Sequence, residues 1–70
     1  MKYIVIELQT DGDSVANIVT SFDDQDAAES QYHSVLAAAA ISGLDAHAAT
    51  IMTNEGYCME YRCYHHGGED

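Results

Sequence analysis

Two cysteines and four histidines carry the sharpest chemistry in this chain, and most of them crowd one end. Cys58, Cys63, His65 and His66 lie close together, with His33 and His47 further back. Thiolate and imidazole are the ligands of structural zinc, which takes four of them in a tetrahedron, often in close pairs such as C-x2-C. The two cysteines here are five positions apart. An odd separation along a strand sets side chains on opposite faces, which argues against a shared metal or a mutual disulfide. His47, Cys63 and His65 could share one face near the end of a last hairpin and are the metal-ligand candidates. A fourth ligand is missing, so the expectation is no metal and no cofactor.

Other chemistries meet similar obstacles. A nucleophile needs Cys or Ser beside His, an orienting acid and an oxyanion hole. Residue types alone do not supply that arrangement, and a chain this size offers little concave volume for a substrate. No enzyme activity is expected. Asp11-Gly12-Asp13-Ser14 starts like a calcium loop but lacks the later acidic ligand and closing glutamate, and reads as a turn. Tyr57, Tyr61 and Tyr64 could stack on bases, but such platforms come with basic residues to hold the backbone, and only Arg62 is near. Asp23, Asp24 and Asp26 suit a helix N-terminus, where free N–H groups and the macrodipole favour anions. The same carboxylates could imitate spaced phosphates.

The elements that must position these residues follow from periodicity. Residues 3–9 are β-branched and aromatic and read as a strand; 10–14 form a turn cluster, and 15–22 read as a second strand. A loop with an odd number of residues sets Leu8 against Ala16, Ile6 against Ile18 and Ile4 against Thr20. That register predicts a core face of Ile4, Ile6, Leu8, Ala16, Ile18 and Phe22. The opposite face then carries Tyr3, Val5, Glu7, Gln9, Val15, Asn17, Val19 and Ser21. Tyr3, Val5, Val15 and Val19 make an apolar contact there for another copy of the chain. A helix is expected from about Asp24 to Ser42, with Asp23 as N-cap and Gly43 at the C′ position. Ala28, Tyr32, Val35, Leu36 and Ala39 fall on one stripe that should cover the sheet. Residues 46–53 and 57–64 read as two further strands around Asn54-Glu55-Gly56, with Ile51 opposite Met59 and Ala49 opposite Tyr61.

The order β-β-α-β-β, with a right-handed crossover through the helix, predicts an α+β fold. Its four-stranded antiparallel sheet has order 2-1-3-4, with the one helix packed on one face. Residues 1–64 form a single domain, and 65–70 read as a flexible acidic and histidine-bearing tail.

Composition narrows the partners. Seventy residues with 47% hydrophobic side chains are globular, but a core this small needs help from metal, disulfide or self-association. Two basic residues face twelve acidic ones, for a formal charge of −10. Such a surface repels phosphate, which excludes unaided nucleic-acid or anionic-membrane binding and leaves a basic protein or another copy as partner. Lys2 precedes only a short apolar run that Glu7 ends, far from a signal peptide. The expectation is therefore a cytoplasmic protein with reduced thiols.

The opening Met1-Lys2-Tyr3-Ile4-Val5-Ile6-Glu7-Leu8-Gln9-Thr10, the stretch Val15 to Phe22 running into Asp23-Asp24, and Tyr32-His33-Ser34-Val35-Leu36-Ala37-Ala38-Ala39-Ala40 together resemble a group of short, uncharacterised proteins encoded in bacterial prophage-like regions. The resemblance spans residue 1 to about residue 60 and brings no catalytic motif. It implies a phage-related setting, either an accessory part of the particle or a factor acting on the host. The leading expectation is a non-enzymatic accessory protein that works through self-association and protein contacts. The alternatives are an acidic nucleic-acid mimic that inhibits a host nucleic-acid-binding defence protein, and a small metal-binding domain.

Overall fold

The computed structural model describes residues 1–66. Strands β1 (Tyr3–Asp11) and β2 (Ser14–Phe22) form a hairpin, α1 (Gln25–Ala40) crosses over, and β3 (Ala46–Thr53) and β4 (Cys58–His65) form a second hairpin. All neighbours pair antiparallel in the order β2-β1-β3-β4, with α1 over one face, as the crossover argument predicts. Among the described residues no helix is long and apolar enough to cross a membrane.

The first hairpin departs from expectation in its turn. Asp11 pairs with Ser14, so the loop has two residues, Gly12 and Asp13, and not an odd number. Gly12 has φ 63 at the first loop position, the pattern of a type II′ turn, whose twist matches that of the strands it joins. The register becomes Ile6 opposite Val19, Val5 opposite Thr20 and Glu7 opposite Ile18. The expected core face is therefore corrected in β1. Val5, only 2% exposed, lies under the helix, while Ile4, Ile6 and Leu8 point the other way. In β2 the sides are as expected, with Val15 and Val19 outward, but of the expected core residues only Phe22 packs against the core; Ala16 and Ile18 lie on the helix side yet stay exposed, Ile18 at 50%.

The helix begins at Asp24, not Asp23: the Asp24 carboxylate accepts from the Ala27 N–H at 3.1 Å. It ends at Ile41 with i→i−3 bonds from Ile41 N to Ala38 O and from Ser42 N to Ala39 O, so Gly43 plays no left-handed capping part. The expected stripe holds: Ala28, Tyr32, Val35 and Ala39 are buried, and Leu36 packs partly against them. They meet Val5, Ala49 and Ile51 of the central strands. Val5 and Ile51 face each other across β1 and β3 and are the largest fully buried side chains. Alanine at 28, 39 and 49 keeps helix and sheet close but supplies little buried area.

The second hairpin turns at Asn54-Glu55-Gly56, with Gly56 at φ 93 and Thr53 N bonded to Tyr57 O at 2.9 Å. Its register also needs correction. Ile51 pairs with Glu60 and Met52 with Cys58, so Met59 is an extra, bulged residue, and Ala49 lies opposite Arg62. Met59 packs partly against the core. The expected tail is shorter than the sequence implied. His65 belongs to β4, and His66 is anchored by its N–H to Asp45 O and by its ring Nε2 to Ala39 O, both within hydrogen-bonding distance. The rest of that tail, 67–70, lies outside the described residues.

Candidate functional site

The corrected registers define what the face away from the helix presents. Across the sheet its rows read Ser21, Ile4, Met52, Cys58; then Val19, Ile6, Thr50, Tyr61; then Asn17, Leu8, Ala48, Cys63; then Val15, Thr10, Ala46, His65. No aspartate, glutamate, lysine or arginine stands at any of these positions, in a chain with a formal charge of −10. Among the described residues no element covers the face. Leu8 is 38% exposed, Val19 59% and Val15 61%. The more apolar side of β1 thus faces outward, while Glu7 and Gln9 take places on the helix side.

Those two polar residues are satisfied there by one partner and by each other. His47, 5% exposed, brings its Nε2 to 2.6 Å from Glu7 Oε2, and Gln9 Nε2 donates to the same oxygen at 2.8 Å. Burial raises the Glu7 pKa, but the Gln9 and His47 hydrogen bonds and the His47 charge outweigh it and hold the carboxyl below its ordinary value of 4.5. The other ring nitrogen, His47 Nδ1, is buried and has no hydrogen-bond partner among the described residues.

The metal-ligand candidates separate. His47 pairs across the ladder with Tyr64 on the helix side, while Cys63 and His65 lie on the uncovered side opposite Ala48 and Ala46. The sequence reading grouped His47 with the other two because its register, with Ala49 opposite Tyr61, set His47 opposite Cys63; the bulge at Met59 shifts the ladder by one residue and turns Cys63 and His65 to the other face. Cys63 Sγ and His65 Nε2 are 3.5 Å apart. The two cysteines, expected on opposite faces, share the uncovered one, because the Met59 bulge adds a residue between them. Both are free and exposed, and Cys58 Sγ lies 3.3 Å from Thr50 Oγ1.

The remaining candidates also sort by face. Tyr3 and Val5 belong to the helix side and are corrected from the proposed contact, whereas Val15 and Val19 keep their outward positions. Asp23 pairs with the Lys2 ammonium, which holds its carboxyl below the ordinary value. Asp24 is the helix cap and Asp26 sits in the first turn. Two of the three acids thus have structural partners. Ile4, Ile6 and Leu8 are the surface residues that sequence reasoning misplaced. The clue was Asp11-Gly12-Asp13, since glycine followed by one further turn residue suits a two-residue hairpin.

A second concavity lies between α1 and the bulged part of β4, a groove of about 660 Å³ lined by Tyr32, Leu36, Met59, Glu60 and Arg62 among others. Its walls mix apolar side chains with one charge of each sign. Comparison of the chain with protein-family models, curated proteins and solved structures returns no match.

Proposed function

We propose that this chain is a non-enzymatic interaction module whose working surface is the uncovered sheet face and whose first partner is a second copy of itself. One observation carries the reading: the more apolar side of the central strand β1, with Ile4, Ile6 and Leu8, faces outward on a surface free of charged residues. A sheet with one face on a helix and the other apolar has an unfilled layer, and sheet-on-sheet packing is the standard way to fill one. Charge selects the occupant. Two copies at −10 each repel across most surfaces, and this neutral face is where they can approach.

The size is adequate when the whole face is used. Four strands spaced about 4.8 Å, each about eight residues long at about 3.3 Å per residue, give a flat footprint of roughly 500 Å². Side-chain relief raises this toward the ~800 Å² per partner of a standard interface. The resemblance to proteins of prophage-like regions supports a phage-related setting, in which self-association precedes contact with particle or host components.

The experiment is equilibrium sedimentation with chelator present, at low and high salt. A dimer that survives high salt is expected. Val19→Asp and Leu8→Asp each remove an apolar contact worth about 1.5–3 kcal/mol on full burial, and each counts twice in a two-fold dimer. Either should weaken association by at least ~100-fold, since each ~1.4 kcal/mol is a factor of ten. A wild-type monomer at high micromolar concentration sinks the reading.

A further inference from the structure

Cys63 and His65 stand two residues apart on the same side of the edge strand β4, at one end of the uncovered face. Their cross-strand neighbours are the small Ala48 and Ala46, β4 has no strand beyond it among the described residues, and both side chains are exposed. The Cys63 Sγ to His65 Nε2 separation is 3.5 Å. Zinc bonds of about 2.3 Å to sulfur and about 2.0–2.1 Å to nitrogen, at a tetrahedral angle, place the two ligand atoms about 3.5 Å apart. The two atoms are therefore already spaced as adjacent corners of a zinc tetrahedron. They are also only half of one, and among the described residues no group of three or more metal-binding side chains is found.

We propose that Cys63 and His65 form half of a zinc site that a second copy of the chain completes, giving a Cys2His2 centre on the two-fold axis of the dimer. This rests on the self-association reading, which brings two such faces together. Stacked sheets lie about 10 Å apart, so a metal at the mid-plane is about 5 Å from each, within reach of Cys and His side chains. Each half-site supplies one thiolate and one neutral imidazole. Binding converts two thiols and one Zn2+ into two zinc–thiolate bonds and releases two protons, with no change of oxidation state. The centre is neutral: two thiolates balance the divalent ion, which suits a surface otherwise free of charge. His47, on the other side of the sheet, takes no part.

The test uses the full chain, stripped of metal under reducing conditions and titrated with Zn2+ and then with Co2+. Calorimetry and sedimentation should give one zinc per two chains, release of two protons per zinc and a tighter dimer. Cobalt should give the intense visible bands of a tetrahedral site with thiolate-to-metal charge transfer. Cys63→Ser and His65→Ala should each lose this binding, while Cys58→Ser keeps it. Because both positions are exposed, circular dichroism and thermal melting of the metal-free variants should match the wild type. One zinc per monomer, or uptake unchanged in Cys63→Ser, overturns the proposal. A salt-resistant metal-free dimer that takes up no zinc overturns it too, while leaving the self-association reading intact. A chain that remains monomeric with and without zinc sinks both.

Discussion

At the scale of single residues, Glu7 shows how a polar group is kept inside so small a core. Its carboxylate receives Gln9 and His47 beneath the helix, and those bonds lower its pKa despite burial. The sign of the pH effect follows. A lowered native pKa means that the unfolded chain binds the proton more tightly. The stabilisation is fully present above the ordinary value of 4.5 and is lost as pH falls below it through the lowered native value. Glu7→Gln should therefore cost about 1–3 kcal/mol at neutral pH, because hydrogen bonds to a charged group are the stronger kind. Urea melts at neutral pH and at a pH below the ordinary value of 4.5 should show the variant and the wild type converging on acidification. Equal losses at both pH values would mean that the charge contributes nothing. The carboxylate was visible in the sequence only as a polar residue within a strand, since its partner His47 lies forty positions away.

At the scale of elements, what was legible was local and what was missed was parity. Strand and helix identities came from short-range patterns, and Ala46–Thr53 appears with the expected bounds because a turn signature follows it directly. The face assignment of β1 failed because both of its sides carry apolar residues, so hydrophobic alternation did not select between loops of two and three residues. Gly12 decided it. A side chain there meets no atom within 4 Å, so the requirement for glycine is conformational, not steric crowding. Gly12→Val should destabilise by at least about 1–2 kcal/mol, the order of cost of forcing a side-chain-bearing residue to positive φ. Asp13→Ala should do much less, and equal effects in thermal melts would refute the turn assignment. Met59 produced the other error: one bulged residue moved Cys58 onto the side of Cys63, and nothing in Tyr57-Cys58-Met59-Glu60 marks a bulge by composition.

At the scale of the whole molecule, the strand order was legible because the handedness of the crossover leaves few alternatives. The interaction face was not, because it exists only once the register of three ladders is known. The ladder between β1 and β3 unites two hairpins that could each form alone. Hairpins assemble in about 1–10 μs, but this ladder joins Thr10 to Ala46 and Tyr3 to Thr53, pairs separated by 36 and 50 positions. The entropy of closing that loop is spent before any contact across it forms. Within it, Val5 meets Ile51, the two largest wholly buried side chains. That pair is the expected folding nucleus. In stopped-flow experiments Ile51→Val should slow refolding by most of its effect on stability, and so should Gly12→Val, whose hairpin is already formed when the ladder closes. Slower refolding in Gly12→Val alone, with Ile51→Val acting chiefly on unfolding, would place the rate-limiting step within a hairpin. A barrier set where the two hairpins first touch would also set the time that the apolar face spends without its layer of structure behind it.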